Sequence, residues 1–322
     1  MPSLTILDLA KRNGSDAVVG LIEEAVRPVP EVSGMHPETG IVIANAADAR
    51  TIKGTSYKTL VRKSLPTVPF RDGNEGAQGL KSTWENRLVE TFIMNPRWNV
   101  DKAIADKSED GWQMLMTDEG FGVVQAAMQQ LGRNFYYGRN TAAALGGSAK
   151  GFLGLIDVYD ATNYTVDAGG TTADTGSSVW AVKFGPQAVR WVYGENGSME
   201  PSEVDIRDVY DANNNPYSAY FQEMFLYPGL QISSPRYVAR IKKLTEDTGK
   251  GLTDKLLSAM MEKFAVGVRP DAIFMTKRSR RQLKDSRTAT NDTGREAAQP
   301  TDYDGVPIVV TESISITEPL TL

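Results

Sequence analysis

The chain has 322 residues, of which 41% are apolar and 23% charged, and a formal charge of −5. This is the composition of a globular protein with one large or two coupled domains, and its acidity argues against wrapping nucleic acid through net charge. The lack of cysteine excludes disulfide frameworks, zinc-thiolate sites and cysteine nucleophiles.

The start, MPSLTILDLAKRNG, has no apolar core of a signal peptide, and no segment reaches the ~18–20 apolar residues of a membrane span. A soluble protein made in a cytoplasm is expected. Residues 3–26 read as helical with a break at NGSD. Val18, Val19, Leu21, Ile22 and Val26 cluster on one side of the second piece, and Pro28 and Pro30 end it. The single histidine, His36, sits in the turn-like SGMHPETG and reads as an exposed loop residue. Triad hydrolysis and multi-histidine metal sites would both have to rest on it.

Residues 50–98 hold two strand-like runs around a centre rich in Gly, Asn and Asp. The second run alternates through Trp84, Asn86, Leu88, Glu90 and Phe92, which predicts a long hairpin with a loose tip. An isolated hairpin is marginal in water, so support from outside it is expected. Residues 109–137 read as a helix about 40 Å long. Ser108 is its expected N-cap, and Trp112, Met116, Val123, Ala127, Leu131 and Phe135 form its apolar stripe. Gly111, Gly120, Gly122 and Gly132 each weaken it by up to ~1 kcal/mol, so tertiary packing must hold it.

The runs SVWAVKFG and AVRWVYG, separated by Pro186 and Gln187, read as a hairpin. With YSAYFQEMFLY and RYVARIKKL they predict an antiparallel meander of about four strands. A helix over 252–264, a strand at DAIFMT, a helix at KRSRRQLKDSR, a Thr-, Asn- and Gly-rich stretch at 288–304 and a closing strand at VPIVVTESI complete the chain. Strands gathered in one region with helices at either side give an α+β class.

The Gly/Thr run AGGTTADTGSS fails as a phosphate loop, because a strand follows it and no lysine is placed to reach phosphate. It reads as a connection into the sheet. DANNNP, 211–216, lacks the glycine and the twelfth-position glutamate of a calcium loop and reads as an Asx-rich turn. The carboxylates Asp101, Asp106, Glu109 and Asp110 read as a solvated, helix-capping face. The basic cluster Lys277, Arg278, Arg280, Arg281, Lys284 and Arg287 has no interleaved aromatics. It reads as a solvated face or an intersubunit salt-bridge strip rather than a nucleic-acid site.

Six segments, in order, carry a resemblance: LPTVPFRDGNEG, VDKAIAD, FYYGRNTAAALGGSAKGFLGLIDVYD, GSSVWAVKFGP, YPGLQISSPRYVARIKKL and DGVPIVVTESISITE. From about residue 54 to its end the chain resembles the major capsid proteins of tailed bacteriophages, in a branch with a short subunit. The resemblance implies the Hong Kong ninety-seven-type coat fold. It would comprise an N-terminal arm (1–49), an extended loop (50–98) lying on the adjacent subunit, a peripheral domain with a spine helix (99–150), and an axial domain with an antiparallel sheet (151–322).

The resemblance further implies a structural shell subunit, not an enzyme. It would self-assemble into hexamers and pentamers of an icosahedral virion head around double-stranded DNA, with assembly in the host cytoplasm. Partners would be copies of itself, a portal, scaffolding or decoration proteins, and packaged DNA without sequence-specific contacts. No membrane, cofactor, metal or catalytic residue is expected. The alternative is an encapsulin-like nanocompartment shell of the same fold. Candidate subunit contacts are Arg62, Arg71, Asn74, Glu75 and Trp84 on the loop, and Arg280 and Arg281 on the basic strip.

Overall fold

The computed structural model describes all residues except 1–4, 14–20, 22, 47, 141–144, 159–160, 198, 292–294 and 322. Helix α1 (Ile6–Arg12) opens with a capping box in which Thr5 and Asp8 exchange hydrogen bonds. Most of the second helical piece expected before Pro28 lies outside the described residues. Residues 23–29 are not helical, and Pro30 begins a helix instead of ending one, at the first position of α2 (Pro30–Ser33). Proline is suited there because its missing N–H would have no intrahelical partner.

Strands β1 (Ala49–Ile52), β2 (Ser56–Ser64), β3 (Thr83–Glu90) and β4 (Arg97–Asp101) follow, then the single-turn α3 (Lys102–Ala105) and the long helix α4 (Gly111–Tyr137). Asp110, not Ser108, is the N-cap of α4. Residues 102–110 are taken up by α3 and its exit turn, and Gly111 has φ +83°. The carboxylates before α4 cap and pair. Asp101 accepts from the Ala103 amide at 2.8 Å, and Asp106 accepts from the Tyr220 hydroxyl at 3.0 Å.

Helix α4 joins two cores. Its first two-thirds place Leu115, Met116 and Ala127 with Trp98, Val100, Tyr220, Met224 and Leu226. Its last two turns place Leu131, Phe135, Tyr136 and Tyr137 against Trp180, Phe184, Trp191 and Phe274. Two of its glycines are contact points. A Cβ at Gly120 would stand 3.0 Å from the Trp98 ring, and one at Gly132 would meet Val29, Ser313 and Glu31 at 2.5–2.6 Å. The helix propensity lost at these positions is offset by close approach of neighbouring chain.

After the one-turn helices α5 (Leu155–Val158) and α6 (Ala161–Tyr164) come β5 (Thr165–Asp167), β6 (Ser177–Val182), β7 (Val189–Gly194), β8 (Asp205–Tyr210), β9 (Pro216–Glu223), β10 (Pro228–Ile232) and β11 (Val238–Leu244). Helix α7 (Asp254–Met261), β12 (Ala272–Met275), helix α8 (Lys277–Ala289), β13 (Asp302–Tyr303) and β14 (Val306–Val310) complete the order. A six-stranded sheet runs β13-β14-β12-β6-β11-β5. It is antiparallel at its centre, where β6 pairs with β11 and β12, and parallel at its flanks, β12 with β14 and β11 with β5. Alternate β6 residues serve two cores: Trp180 and Val182 face the end of α4, while Val179 and Ala181 pack with Leu257, Met260 and Leu283 of α7 and α8.

The expected hairpin between SVWAVKFG and AVRWVYG does not form. β6 is central in the six-stranded sheet, while β7 pairs with β1 and β10 in a separate three-stranded sheet. A strand buried along its whole length needs a neighbour on each edge, and β11 and β12 supply both. The chain crosses between the sheets at Gly185, φ +136°, and Pro186. The four-strand meander likewise gives way to three sheets. YSAYFQEMFLY contributes β9 to a third sheet, β4-β9-β8, and RYVARIKKL forms β11. Met224 and Leu226 mark the break, buried in the core beneath α4. DANNNP is the expected Asx turn, in which the Asp211 carboxylate accepts from the Asn213 and Asn215 amides, each at 2.8 Å.

The Gly/Thr run links β5 to β6. Its own chain supplies the anion its amides hold: Asp247 accepts from the Thr171 and Thr172 amides at 2.9 and 3.1 Å, and from three threonine hydroxyls. Those hydrogen bonds hold the Asp247 carboxyl well below the usual carboxylate range. The final segment is fastened by a buried network. Glu318 accepts from Tyr137 at 2.6 Å, Ser178 at 2.5 Å and Arg240 at 3.1 Å, and the Arg240 guanidinium lies 5.0 Å from the Trp180 ring centroid.

Candidate functional site

Strands β2 and β3 pair from Ser56↔Glu90 to Arg62↔Trp84, with a register shift beyond. One face turns inward at the root. Val89 and Tyr57 pack with Ile52 and Val192, Tyr57 donates to Gln231, and Arg87 donates to the Ser233 carbonyl at 2.7 Å. The opposite face carries Lys58, Leu60, Arg62, Trp84, Asn86 and Leu88, all exposed. A hairpin with one solvated face ordinarily places polar side chains there. Here Leu60, Trp84 and Leu88 are each at least half exposed.

Between the strands, residues 65–82 form an open tip that presents Leu65, Val68, Leu80 and a fully exposed Phe70. Three predicted residues meet at one turn of that tip. Arg71 donates to the Glu75 carbonyl, the Glu75 carboxylate accepts from the Asp72 amide at 3.1 Å, and Asn74 takes φ +64°. Arg62 and Trp84 meet lower down, with the guanidinium 4.4 Å from the ring centroid. Sequence reading missed Leu60, Phe70 and Leu88. The signal was present: Leu88 alternates with Trp84 and so shares its face, while Phe70 follows a proline in a stretch otherwise poor in apolar residues.

The basic strip on α8 is engaged within the chain. Arg280 pairs with Glu38 at 2.6 Å, Arg281 with Glu246, Lys284 with Glu296 at 3.2 Å, and Arg287 forks onto Asp254 at 2.8–2.9 Å. Arg280 and Arg281 therefore lie on a different element from the hairpin candidates, each with a carboxylate of its own chain. His36 is half-buried rather than exposed. Its Nδ1 accepts from the Glu38 and Thr39 amides, so its Nε2–H donates to the Ile308 carbonyl at 3.0 Å. Among the described residues, no group of three His, Asp or Glu side chains could hold a metal, and no helix is long and apolar enough to cross a membrane.

In fold the chain is similar to the structure of bacteriophage Epsilon15, with a TM-score of 0.71 and 20% identity, covering 99% of this chain and 98% of that one. It is also similar to the bacteriophage JBD30 capsid, with a TM-score of 0.50 and 10% identity, covering 95% and 97%. No curated protein matches it in sequence. A mixed α+β body with a long helix and an outstretched hairpin is thus the coat-subunit fold of the Hong Kong ninety-seven type. The family model for major capsid protein GP7 matches residues 38–321, and the chain belongs to that family. Its function is that of a tailed-phage coat protein.

Proposed function

We propose that the chain assembles with copies of itself into hexamers and pentamers of an icosahedral head around double-stranded DNA, and that its hairpin lies on an adjacent subunit. The apolar outer face of the hairpin carries this reading: Leu60, Trp84 and Leu88 are arranged as a buried face is, yet among the described residues each is left at least half exposed. A patch of this kind on an outstretched element marks a protein contact. The partition into arm (1–49), extended loop (50–98), peripheral region (99–150) and axial region (151–322) belongs to the same proposal. So do the contact roles of Arg62, Arg71, Asn74, Glu75, Trp84, Arg280 and Arg281.

The work is structural and non-enzymatic, with assembly in the host cytoplasm and a portal and scaffolding or decoration proteins as further partners. Each contact can be weak, because every subunit makes several and their effects multiply. The test replaces residues 65–82 with a short glycine-containing turn. The expected product is a folded, soluble subunit that electron microscopy shows making no shells. Loss of the native circular dichroism spectrum would mean that the tip belongs to the subunit's own core.

A further inference from the structure

A groove of about 520 Å³ lies between the start of α8, the segment 311–316 and the second half of α4. Among the described residues four cations line it, Arg27, Arg133, Lys277 and Arg278, against a single carboxylate, Glu312. In a chain of net charge −5 this is a local inversion. The groove further along α8 has the opposite balance, with Glu246, Asp247 and Asp285 against Arg281.

The cations of this groove are also under-neutralised, unlike those further along α8. Arg27 and Lys277 share Glu312, at 3.2 and 2.6 Å. Arg278 donates to the carbonyls of Thr175, Leu244 and Ile316, and makes no ion pair within 4 Å among the described residues, although Glu246 and Glu318 lie near enough to favour its charge. Arg133, half-buried, makes no ion pair among the described residues. Positive charge surrounded by a low-dielectric wall attracts a mobile anion more strongly than the same charge on an open surface.

We propose that this groove takes the phosphate backbone of the nucleic acid enclosed by the shell. The proposal rests on the container reading above. Among the described residues the lining holds no aromatic ring on which a base could stack, which suits a sequence-independent contact with phosphate. An acidic protein segment is the competing occupant. It would gain little apolar contact, because Leu145 and Ile314 are buried beneath the groove and only Ile316 is open. The site would bind weakly, through two or three phosphates per subunit, and so would still release its DNA.

The test uses the full-length chain carrying Arg133→Gln and Lys277→Gln, with Lys284→Gln as a control outside the groove. Shell formation is followed by electron microscopy, and binding of a short DNA duplex by subunits and shells is titrated against salt. The double variant is expected to form normal shells. The slope of log affinity against log salt should fall by about two, equally for A·T-rich and G·C-rich duplexes, with Lys284→Gln unchanged. An unchanged slope overturns the proposal. Lost shells with an unchanged slope would assign the groove to an acidic segment of a neighbouring copy. Wild-type chain that binds duplex with the full slope yet forms no shells would instead overturn the container reading and support phosphate recognition. Thermal unfolding of each variant, expected to match the wild type, shows that a lost slope is not lost folding.

Discussion

Strand β6 and the hairpin β2–β3 bury their side chains by opposite rules. Every residue of β6 is buried, and both of its faces and both of its edges are satisfied inside one chain. The hairpin alternates as β-structure should, but its apolar residues Leu60, Trp84 and Leu88 share one face and are each at least half exposed. The difference separates what folds the subunit from what the subunit offers to others. Stability should track the first region and assembly the second, and each of the following substitutions can break that division.

The largest effect is expected at the buried ion pair beside the six-stranded sheet. Glu318→Ala leaves Arg240 in the core without its carboxylate, and breaking a buried pair in this way costs about 3–5 kcal/mol. Leu131→Ala, in the core that β6 shares with α4, should cost about 2–5 kcal/mol. Denaturant unfolding checks both, and a change below ~0.5 kcal/mol at either site would mean that this core does not carry the fold.

A pH effect of similar size is expected at Glu31, fully buried where α2 meets α4. Burial pushes its carboxyl up to about 7, against hydrogen bonds from Ser313 and Thr311 that favour the charged form. The folded state therefore binds a proton that the unfolded state has lost between pH 4.5 and about 7. Stability should fall across that window by roughly 3 kcal/mol and then level off. Glu31→Gln should flatten this slope. A profile that rises from pH 5 to 7 and is unaltered in the variant would place the titrating group elsewhere.

How far these regions could be read from sequence depends on where their partners lie along the chain. The stripe on α4 was legible because helical periodicity is local, and Leu131 and Phe135 are buried as their spacing requires. The hairpin was legible for the same reason, through the alternation from Trp84. Strand partners were not. β6 and β7 are separated by six residues yet belong to different sheets, and β6 finds β12 about ninety residues later. No local pattern encodes that choice; it follows from which surfaces α4 covers. The groove at Arg133 was hidden similarly, because Arg27, Arg133 and Lys277 come from three distant segments. The cations that did cluster in sequence, from Arg280 to Arg287, proved to have carboxylates of their own.

The smallest effect on the subunit should be the most damaging to the shell. Trp84 is half exposed, and the Arg62 guanidinium packs over its ring across the hairpin. An exposed cation–π contact is worth about 0.5–1 kcal/mol, so Trp84→Ala should lower subunit stability by no more than that. If the ring is covered by a neighbouring copy, the same truncation removes a buried aromatic from every repeat of that contact. Losses of that kind multiply through the shell, because each subunit is held by several contacts at once. The variant should therefore unfold close to the wild-type denaturant midpoint while its shells fail to form, or form only at much higher protein concentration. Destabilisation beyond ~2 kcal/mol would place Trp84 in its own subunit's core and dissolve the contrast with β6. Normal shells from a normally stable variant would show that the outer face of the hairpin meets solvent after all.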